Sequence, residues 1–309
     1  MRLRRRRNIW DVAVIGGGIT GLTAAWHAMR RGLTTTLFEG APAHGGLVAN
    51  VNHLDDFPGT TDASGVELAA NLVQRLHDEN VDLRSDAVQK VALEGPFVRL
   101  DSEQGVVRAR RVLVASGARL KSLGVPGEEK LVGKGVSQCA DCDGFFFRDQ
   151  DVVVVGGGDG ALHEALVLAG ICRTVTIVAR SRLRARAVYV EKAAGAANVR
   201  FAWDSVVESV LGDAAVTGVK LRNVRTGEMR DMPCTGVFPF IGCEPTTGFL
   251  DASAQRDATG ALITDTELRT SIPGVLAAGA VRAGYSGTLA AAVGEAATAA
   301  AVMARDLAL

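Results

Sequence analysis

The amino-acid sequence predicts an α/β fold made of two Rossmann-like dinucleotide-binding domains, the second inserted in the first. Three observations predict it. Glycine motifs at residues 16–21 and 156–161 each follow a β-branched strand and precede a helical stretch. Such strand–loop–helix turns are typical of nucleotide binding. Ahead of the second motif stand Cys139 and Cys142, separated by two residues and followed by Asp143, and this spacing is typical of a redox pair.

Composition narrows the class of protein. The chain has 309 residues, 48% of them hydrophobic, which is enough for two domains with sizeable cores. Its net charge of +0 gives no bulk attraction to nucleic acid or to an anionic membrane. The 5 cysteines are too few for a disulfide scaffold, so one close pair indicates catalysis in a reducing, cytoplasmic compartment. We expect Cys172, Cys234 and Cys243 to be inert buried thiols, and no metal site is predicted.

The first eight residues carry five arginines. They are either a basic arm for an acidic partner or targeting signal, or a solvated tail. A secretory signal would continue into an apolar stretch, whereas this chain enters a short strand, which favours the solvated tail. No apolar run approaches the ~20 residues of a membrane span.

The first glycine motif lies in a complete βαβ unit. A strand over 10–15 leads into the glycine loop, a helix from about Leu22 to Arg31 follows, and a second strand over 34–38 closes on Glu39. The helix N-terminus faces the phosphates of a bound dinucleotide. An acid about 20 residues after the first glycine meets a free ribose 2′-hydroxyl, as in FAD or NAD.

The rest of the first domain is predicted from periodicity and turn residues. Residues 44–47 and 55–59 form loops, and 66–80 form an amphipathic helix. Strands are predicted over 81–91, 97–100 and 112–117. The last of these ends on Ala115, Ser116 and Gly117, whose small side chains permit a close approach by a cofactor.

The second domain begins after a linker at 124–129. A strand over 152–155, a helix to about Leu168 and a strand over 175–178 repeat the βαβ pattern, but no acid ends the second strand. Arginines follow instead, at positions 180, 182, 184 and 186. They suit the 2′-phosphate of NADP, although a solvated basic face is the alternative. The two units form an internal repeat with different ribose chemistry, which implies two different nucleotides.

Further strands are predicted from Phe201, over 218–222 and over 236–240, and residues 242–245 carry the chain back to the first domain. A strand over 270–279 ends on glycine, and an Ala-rich helix over 289–307 closes the chain. The predicted domains are therefore 1–117 with 245–309, and 118–244.

These motifs resemble the low-molecular-weight thioredoxin reductases over nearly the whole chain. The most specific is the run Cys139-Ala140-Asp141-Cys142-Asp143-Gly144-Phe145-Phe146, which separates this group from ferredoxin–NADP reductases. The other matching segments are 16–21, 45–46, 57–59, 115–117, 156–161 and 270–279. The resemblance implies FAD in the first domain, NADPH (or NADH) in the inserted domain, and a homodimer.

The resemblance also implies site residues. Those expected to bind FAD are Gly16, Gly18, Gly21, Glu39, Gly46, Leu47, Asp56, Val88, Ala115, Ser116, Gly117, Gly279 and Ala280. Those expected to bind NAD(P)H are Gly156, Gly158, Asp159, Gly160, Ala161, Arg180 and Arg184. By the same resemblance Cys142 is the thiol beside the flavin, Cys139 attacks the partner's disulfide, and Asp143 manages the thiol protons as an acid/base.

Three positions depart from the family pattern. Ala280 stands where an aspartate normally binds the flavin's ribityl chain, and Tyr285-Ser286-Gly287 replaces Tyr-Arg-Gln. In the second domain Ala179-Arg180-Ser181, with Arg184, replaces His-Arg-Arg and a further Arg. We therefore expect weaker flavin binding and a reduced preference for NADPH.

Three functions are open at this point. The first is a flavin-dependent reductase of thioredoxin or a thioredoxin-like protein. The second is a flavin dithiol oxidase that closes a disulfide in a small molecule with oxygen as acceptor. The third is a non-enzymatic binding module derived from a flavoprotein, against which the intact Cys-x-x-Cys-Asp argues.

Overall fold

The computed structural model describes residues 9–54, 57–59, 63–79 and 81–307. The Arg-rich residues 1–8 and Asp56, a predicted FAD contact, lie outside this part of the chain. Two compact units are formed, one by residues up to 119 together with those from 244 onward, and the other by 120–243. Each contains its own sheet with a core of parallel strands, so the predicted α/β fold class with an inserted second unit is confirmed.

The first unit is built on a sheet that joins parallel and antiparallel strands. In chain order its elements are β1 (Ile9–Ile15), α1 (Ile19–Arg30), β2 (Thr35–Glu39), α2 (Gly65–Asp78), β3 (Asp82–Ser85), β4 (Val88–Glu94), β5 (Phe97–Ser102) and β6 (Gly105–Val114). The strand order is β3-β2-β1-β6-β5-β4. Strands β3, β2, β1 and β6 run parallel, whereas β6, β5 and β4 pair antiparallel. The carboxyl ends of β1, β2 and β6 therefore meet at one edge, where ligands bind in such sheets.

The second unit contains a four-stranded parallel sheet, β10-β9-β8-β14, and a three-stranded antiparallel sheet, β11-β12-β13. Its elements are α3 (Ala140–Asp143), β8 (Asp151–Val155), α4 (Asp159–Ala169), β9 (Thr174–Ala179), α5 (Ala187–Gly195), β10 (Val199–Trp203), β11 (Ser205–Leu211), β12 (Gly218–Asn223), β13 (Met229–Pro233) and β14 (Gly236–Pro239). Two short strands, β7 (Ala118–Leu120) and β15 (Cys243–Pro245), span its boundaries with the first unit. Where the chain enters and leaves this unit, β7 and β15 pair with each other.

The C-terminal segment completes the first unit. Strand β16 (Val275–Ala277) pairs in parallel with the end of β6, and helix α6 (Leu289–Asp306) packs on α1. The Ala-rich face of α6 allows this close approach, because Ala296, Ala299 and Ala300 are fully buried in the cluster that contains the core residues of α1. A long apolar helix without charges would suggest a membrane span, but none of the described helices is long and apolar enough to cross one.

Several element predictions are corrected. The strand predicted over 81–91 breaks at Asp86 and Ala87, because β3 pairs with β2 whereas β4 pairs with β5. The strand predicted over 270–279 covers only β16, since Pro273 precedes a left-handed Gly274. Strand β6 begins seven residues before its predicted start and ends at Val114. Helix α5 and strands β11 and β13 were not predicted.

Candidate active site

The cysteine pair lies at a short helix in the second unit. Cys139 and Cys142 form a disulfide, with their Cα atoms 5.3 Å apart. Cys139 precedes the first residue of α3, and its Sγ accepts the backbone N–H of Cys142 at 3.1 Å. The N–H of Asp143 donates to the Cys139 carbonyl at 3.1 Å, which closes the single turn. The spacing of the two thiols thus corresponds to one turn, as predicted.

Some of the side chains at and beside the disulfide are exposed to solvent, and others are partly or fully buried. Cys142 is exposed, whereas Cys139 and Asp143 are half-buried. Phe145 and Phe146 are 66% and 72% exposed, and the Arg148 guanidinium lies 5.0 Å from the centre of the Phe145 ring. Phe147 turns inward and packs edge-on against Phe238. Two large aromatic rings are therefore exposed next to the disulfide.

Glycine is required at two positions of the first loop. Gly16 has φ +107°, and a Cβ there would lie 2.4 Å from the Ala115 carbonyl oxygen. A Cβ on Gly21 would lie 1.8 Å from the Gly16 carbonyl oxygen. Because neither residue has a Cβ, the start of α1 can lie directly against the ends of β1 and β6. A Cβ on Gly18 would lie no closer than 3.9 Å to any atom outside its chain neighbours, so a ligand has room at this position.

The acid at the end of β2 supports the same loop. The Oε2 atom of Glu39 accepts the N–H of Gly17, and its Oε1 atom accepts the N–H of Ala41, each at 2.7 Å. Helix α1 begins after Gly18 with no side-chain cap and no acid in its first turn. Its first N–H groups and its positive dipole end therefore suit an anionic group such as a pyrophosphate.

Other predicted FAD contacts gather around this loop. The Gly45 N–H donates to the Gly17 carbonyl at 2.8 Å and places the next residues, Gly46 and Leu47, beside it as exposed positions. Ala115 borders Gly16, and the two residues that follow it, Ser116 and Gly117, end the same edge half-buried, with Ser116 Oγ donating to the Thr246 carbonyl at 2.6 Å.

The C-terminal segment reaches the start of α1. A Cβ on Gly279 would lie 2.4 Å from Thr20 Oγ1, and the half-buried Ala280 follows directly. Val88 is half-buried at the start of β4 and packs against the cluster that contains Ile15 and Phe38.

The second glycine loop has the same plan with different side chains. Gly156 has φ +145°, and a Cβ there would lie 2.2 Å from the Phe240 carbonyl oxygen. Gly158 and Gly160 border open space, and Ala161 is buried beneath the loop. Asp159 occupies the first turn of α4.

The arginines after β9 divide into two kinds. Arg186 is committed to Asp159, since its N–H and its Nε each donate to that carboxylate at 2.7 Å. Arg180, Arg182 and Arg184 are exposed, and no carboxylate of the described residues lies within ion-pair distance of them. The Arg184 N–H donates to the Gly157 carbonyl at 2.7 Å, which brings this arginine beside the glycine loop.

Sequence reasoning missed the contacts of three carboxylates in or near these sites. Asp159 neutralises Arg186, and Glu164 accepts the N–H of Ala140 at 2.8 Å. Glu295 accepts the N–H of Gly279 at 2.7 Å and pairs with Arg282 at 2.6 Å. The partners are 13 to 27 residues apart in the chain, so no local spacing rule could have found them.

Of the three remaining cysteines, two are buried and one is exposed. Burial raises the pKa of the Cys172 thiol to about 11 and that of Cys234 to about 12, so both are inert buried thiols as predicted. The same prediction is wrong for Cys243, which is exposed on β15 because the crossing segment runs over the surface.

Two nucleotide loops and a disulfide define a class of protein, the oxidoreductases that exchange electrons between a nucleotide cofactor and a dithiol. The sequence matches the pyridine nucleotide-disulphide oxidoreductase family over residues 10–300. The chain belongs to this family.

Individual relatives are thioredoxin reductases. The chain is 41% identical over 278 residues to the thioredoxin reductase of Streptomyces coelicolor, a match that covers 89% of this chain and 86% of the relative. It is 39% identical over 276 residues to that of Treponema pallidum, covering 89% of each. The crystal structure of Lactococcus lactis thioredoxin reductase superposes with a TM-score of 0.93 at 34% identity, covering 97% of this chain and 99% of the other.

Proposed function

We propose that this chain is a flavin-dependent disulfide reductase, which passes electrons from NAD(P)H through FAD to the Cys139–Cys142 disulfide and then to a thioredoxin-like protein. The observation that carries the proposal is the closed Cys139–Cys142 pair in a chain with two nucleotide loops. The similarity to thioredoxin reductases supports the nature of the protein substrate.

The first loop suits FAD. Gly18 leaves room for a pyrophosphate at the uncapped start of α1. The Oε2 atom of Glu39 accepts the N–H of Gly17 in the loop, its Oε1 atom accepts the N–H of Ala41 after β2, and both oxygens keep further lone pairs for ribose hydroxyls. When bound, the flavin supplies a two-electron carrier between a nicotinamide and a disulfide.

The second loop suits NAD(P)H. Because Arg186 neutralises Asp159 at the first turn of α4, the helix start remains favourable for a pyrophosphate. Arg180 and Arg184 are exposed, have no carboxylate partner among the described residues, and are the candidates for a 2′-phosphate.

The dithiol would work through ordinary thiol–disulfide exchange. Reduction adds two electrons to the S–S bond and, with one proton, leaves one thiol and one thiolate. The N–H of Cys142, which donates to Cys139 Sγ, stabilises a thiolate on Cys139 and supports its role as the attacking thiol. Asp143, adjacent to Cys142 and half-buried, would give and accept the proton of the other thiol. Phe145 and Phe146 would contact the protein substrate.

Serine substitution of each cysteine tests the proposal. Cys139→Ser and Cys142→Ser should each abolish NADPH-dependent reduction of a thioredoxin and leave bound flavin in place, as judged by its absorbance. Near wild-type turnover in either variant would rule out the dithiol as the redox centre.

Anaerobic mixing of the wild-type protein with NADPH or NADH separates the three candidate functions. Bleaching of the flavin by a nicotinamide supports the reductase. Bleaching by small dithiols alone would indicate the dithiol oxidase, and a protein without flavin would indicate a binding module.

The family resemblance also favours a homodimer in the cytoplasm. Light scattering on the purified protein measures the mass of the assembly, and a monomer would contradict this part of the proposal.

A further inference from the structure

The dithiol segment is fixed along helix α4. Ala140 is fully buried in the cluster that contains Ala161 and Leu168 of α4. A Cβ on Gly144 would lie only 3.2 Å from Leu168 Cδ2 and 3.3 Å from Ile171 Cδ1. The backbone around the disulfide is therefore packed closely against this helix.

Glu164 lies on the same helix and binds the peptide next to Cys139. Its Oε2 atom accepts the N–H of Ala140 at 2.8 Å, and its side chain is only 15% exposed. Cys139 Sγ accepts the N–H of Cys142, two residues further along α3. A carboxylate and a redox-active sulfur thus accept hydrogen bonds from the same four-residue helix.

Other charged or titratable groups belong to the dithiol segment and to α4 in the described part of the chain. Asp141 and Asp143 belong to the dithiol segment itself. On α4, His163 Nδ1 lies 3.7 Å from Glu164 Oε1, and its ring packs edge-on against Tyr189. No lysine or arginine within ion-pair distance neutralises Glu164 among the described residues.

A carboxylate in this place opposes the charge that reduction creates. The disulfide is neutral, whereas the reduced pair carries a thiolate once one thiol loses its proton. Two like charges ~6 Å apart change an acid dissociation constant by about three- to a hundredfold as the local dielectric constant falls from about 80 to about 20. The reduced pair is therefore disfavoured where its thiolate is populated.

We propose that Glu164 is a positioning residue that holds the Ala140 peptide beside Cys139 and, through its charge, keeps the pair's redox equilibrium toward the disulfide. The inference rests on the proposed redox cycling of Cys139 and Cys142. Glu164 lies outside the Cys-x-x-Cys-Asp motif, and its charge would shift the equilibrium between the disulfide and the reduced pair.

Glu164→Gln tests the charge, because glutamine keeps an oxygen acceptor for the Ala140 N–H. Glu208→Gln is the matched control, since Glu208 pairs with Arg222 at 2.6 Å on the β11–β12 hairpin of the same unit. Each full-length protein, with its bound flavin, is equilibrated anaerobically with reduced and oxidised dithiothreitol at pH 6 and at pH 9. Iodoacetamide then traps the thiols, and mass spectrometry quantifies the peptide that contains Cys139 and Cys142.

The expected result depends on pH. At pH 9 the equilibrium constant for reduction should rise about three- to tenfold in Glu164→Gln, and at pH 6 it should match the wild type. Glu208→Gln should match the wild type at both pH values. Glu164→Ala, which loses both charge and hydrogen bond, should show at least the shift of Glu164→Gln at pH 9.

Three results would overturn the inference: wild-type equilibria in Glu164→Gln at both pH values, an equal shift at both, or an equal shift in Glu208→Gln. A wild-type pair that cannot be reduced reversibly would instead remove the proposed function itself, so the two failures are distinguishable.

Discussion

The glycine loop of the first unit leads into a helix turn without acids, whereas that of the second unit leads into a turn that begins with Asp159. Strand β2 ends on Glu39, whose carboxylate faces its own loop, but β9 ends on Ala179 and is followed by Arg180. The same βαβ unit is thus used twice with opposite charges at the end of its second strand. The comparison teaches that strand-end residues, and not the glycines, distinguish the two expected nucleotides.

The loops also differ in how tightly they are packed. The third motif residue is Gly21 in the first loop and Ala161 in the second. A Cβ on Gly21 would lie 1.8 Å from the Gly16 carbonyl oxygen, whereas the Cβ of Ala161 fits beneath its loop in the core of the second unit. The first helix therefore lies closer to its loop than the second.

The largest expected effect comes from exchanging these two residues. Gly21→Ala should lower the free energy of unfolding by about 3 kcal/mol or more, because backbone must move to admit the methyl group. Ala161→Gly should cost only about 2 kcal/mol, from the difference in helix propensity and the loss of one buried methyl group. Urea unfolding curves of both variants measure the difference, and equal losses would show that the two loops are packed alike.

The next effect concerns the acid of the first loop. Glu39→Ala removes the acceptor of two backbone N–H groups and of the expected ribose hydroxyls. Each charge-assisted hydrogen bond contributes about 1.5–3 kcal/mol, so the FAD dissociation constant should rise by about ten- to a hundredfold. Titration of apoprotein with FAD measures it. Binding of NADPH to the second unit serves as the control and should not change.

Ala280→Asp should strengthen the first site. In the wild type a ribityl hydroxyl near Ala280 would lack the carboxylate found in the family, a loss of about 1–3 kcal/mol. We expect the variant to bind FAD about tenfold more tightly, measured by titration of apoprotein. Ala280→Asn separates a hydrogen bond from a charge. Equal or weaker binding in Ala280→Asp would show that this protein holds its flavin by other means.

The smallest effect is expected in the second loop. Ala179 and Ser181 replace two cationic residues of the family, so the preference for NADPH over NADH should already be weak. Arg184→Ala should reduce that preference by a further three- to tenfold, roughly the loss of one screened contact to a 2′-phosphate. Arg200→Ala, at another exposed arginine of the same unit, is the control. A strong NADPH preference in the wild type would contradict the comparison.

The fold followed from patterns that are local in the chain. Both glycine loops, their flanking strands and α6 lie where periodicity and turn residues placed them, because each pattern is carried by consecutive residues. Strand β6 was predicted only in its last three residues, 112–114. The seven residues before them include Arg108, Arg110 and Arg111, whose guanidinium groups pair with Glu94, Asp11 and Asp306. Because these charged side chains interrupt the run of apolar residues, this part of the strand lacks the pattern by which a buried strand is predicted.

In the candidate site, too, local motifs could be predicted from the sequence, whereas contacts between distant residues could not. The disulfide pair is encoded by a spacing of three residues, and the structure closes it. The contacts of Glu164 with Ala140 and of Arg186 with Asp159 depend on where α4 lies against the segments beside it, and no sequence interval specifies that. The cofactor assignments of the individual glycines, Val88 and the two arginines remain predictions.

The return of the chain in β16 and α6 has a consequence for synthesis. Residues 120–243 are contiguous and can fold as soon as they leave the ribosome, whereas the first unit requires both ends of the polypeptide. The face of α1 that α6 covers has no partner until α6 has been synthesised. At an elongation rate of ~5–20 residues per second this interval lasts tens of seconds. The unit begun first is therefore finished last, and a nascent-chain chaperone has an apolar helix face to shield throughout that interval.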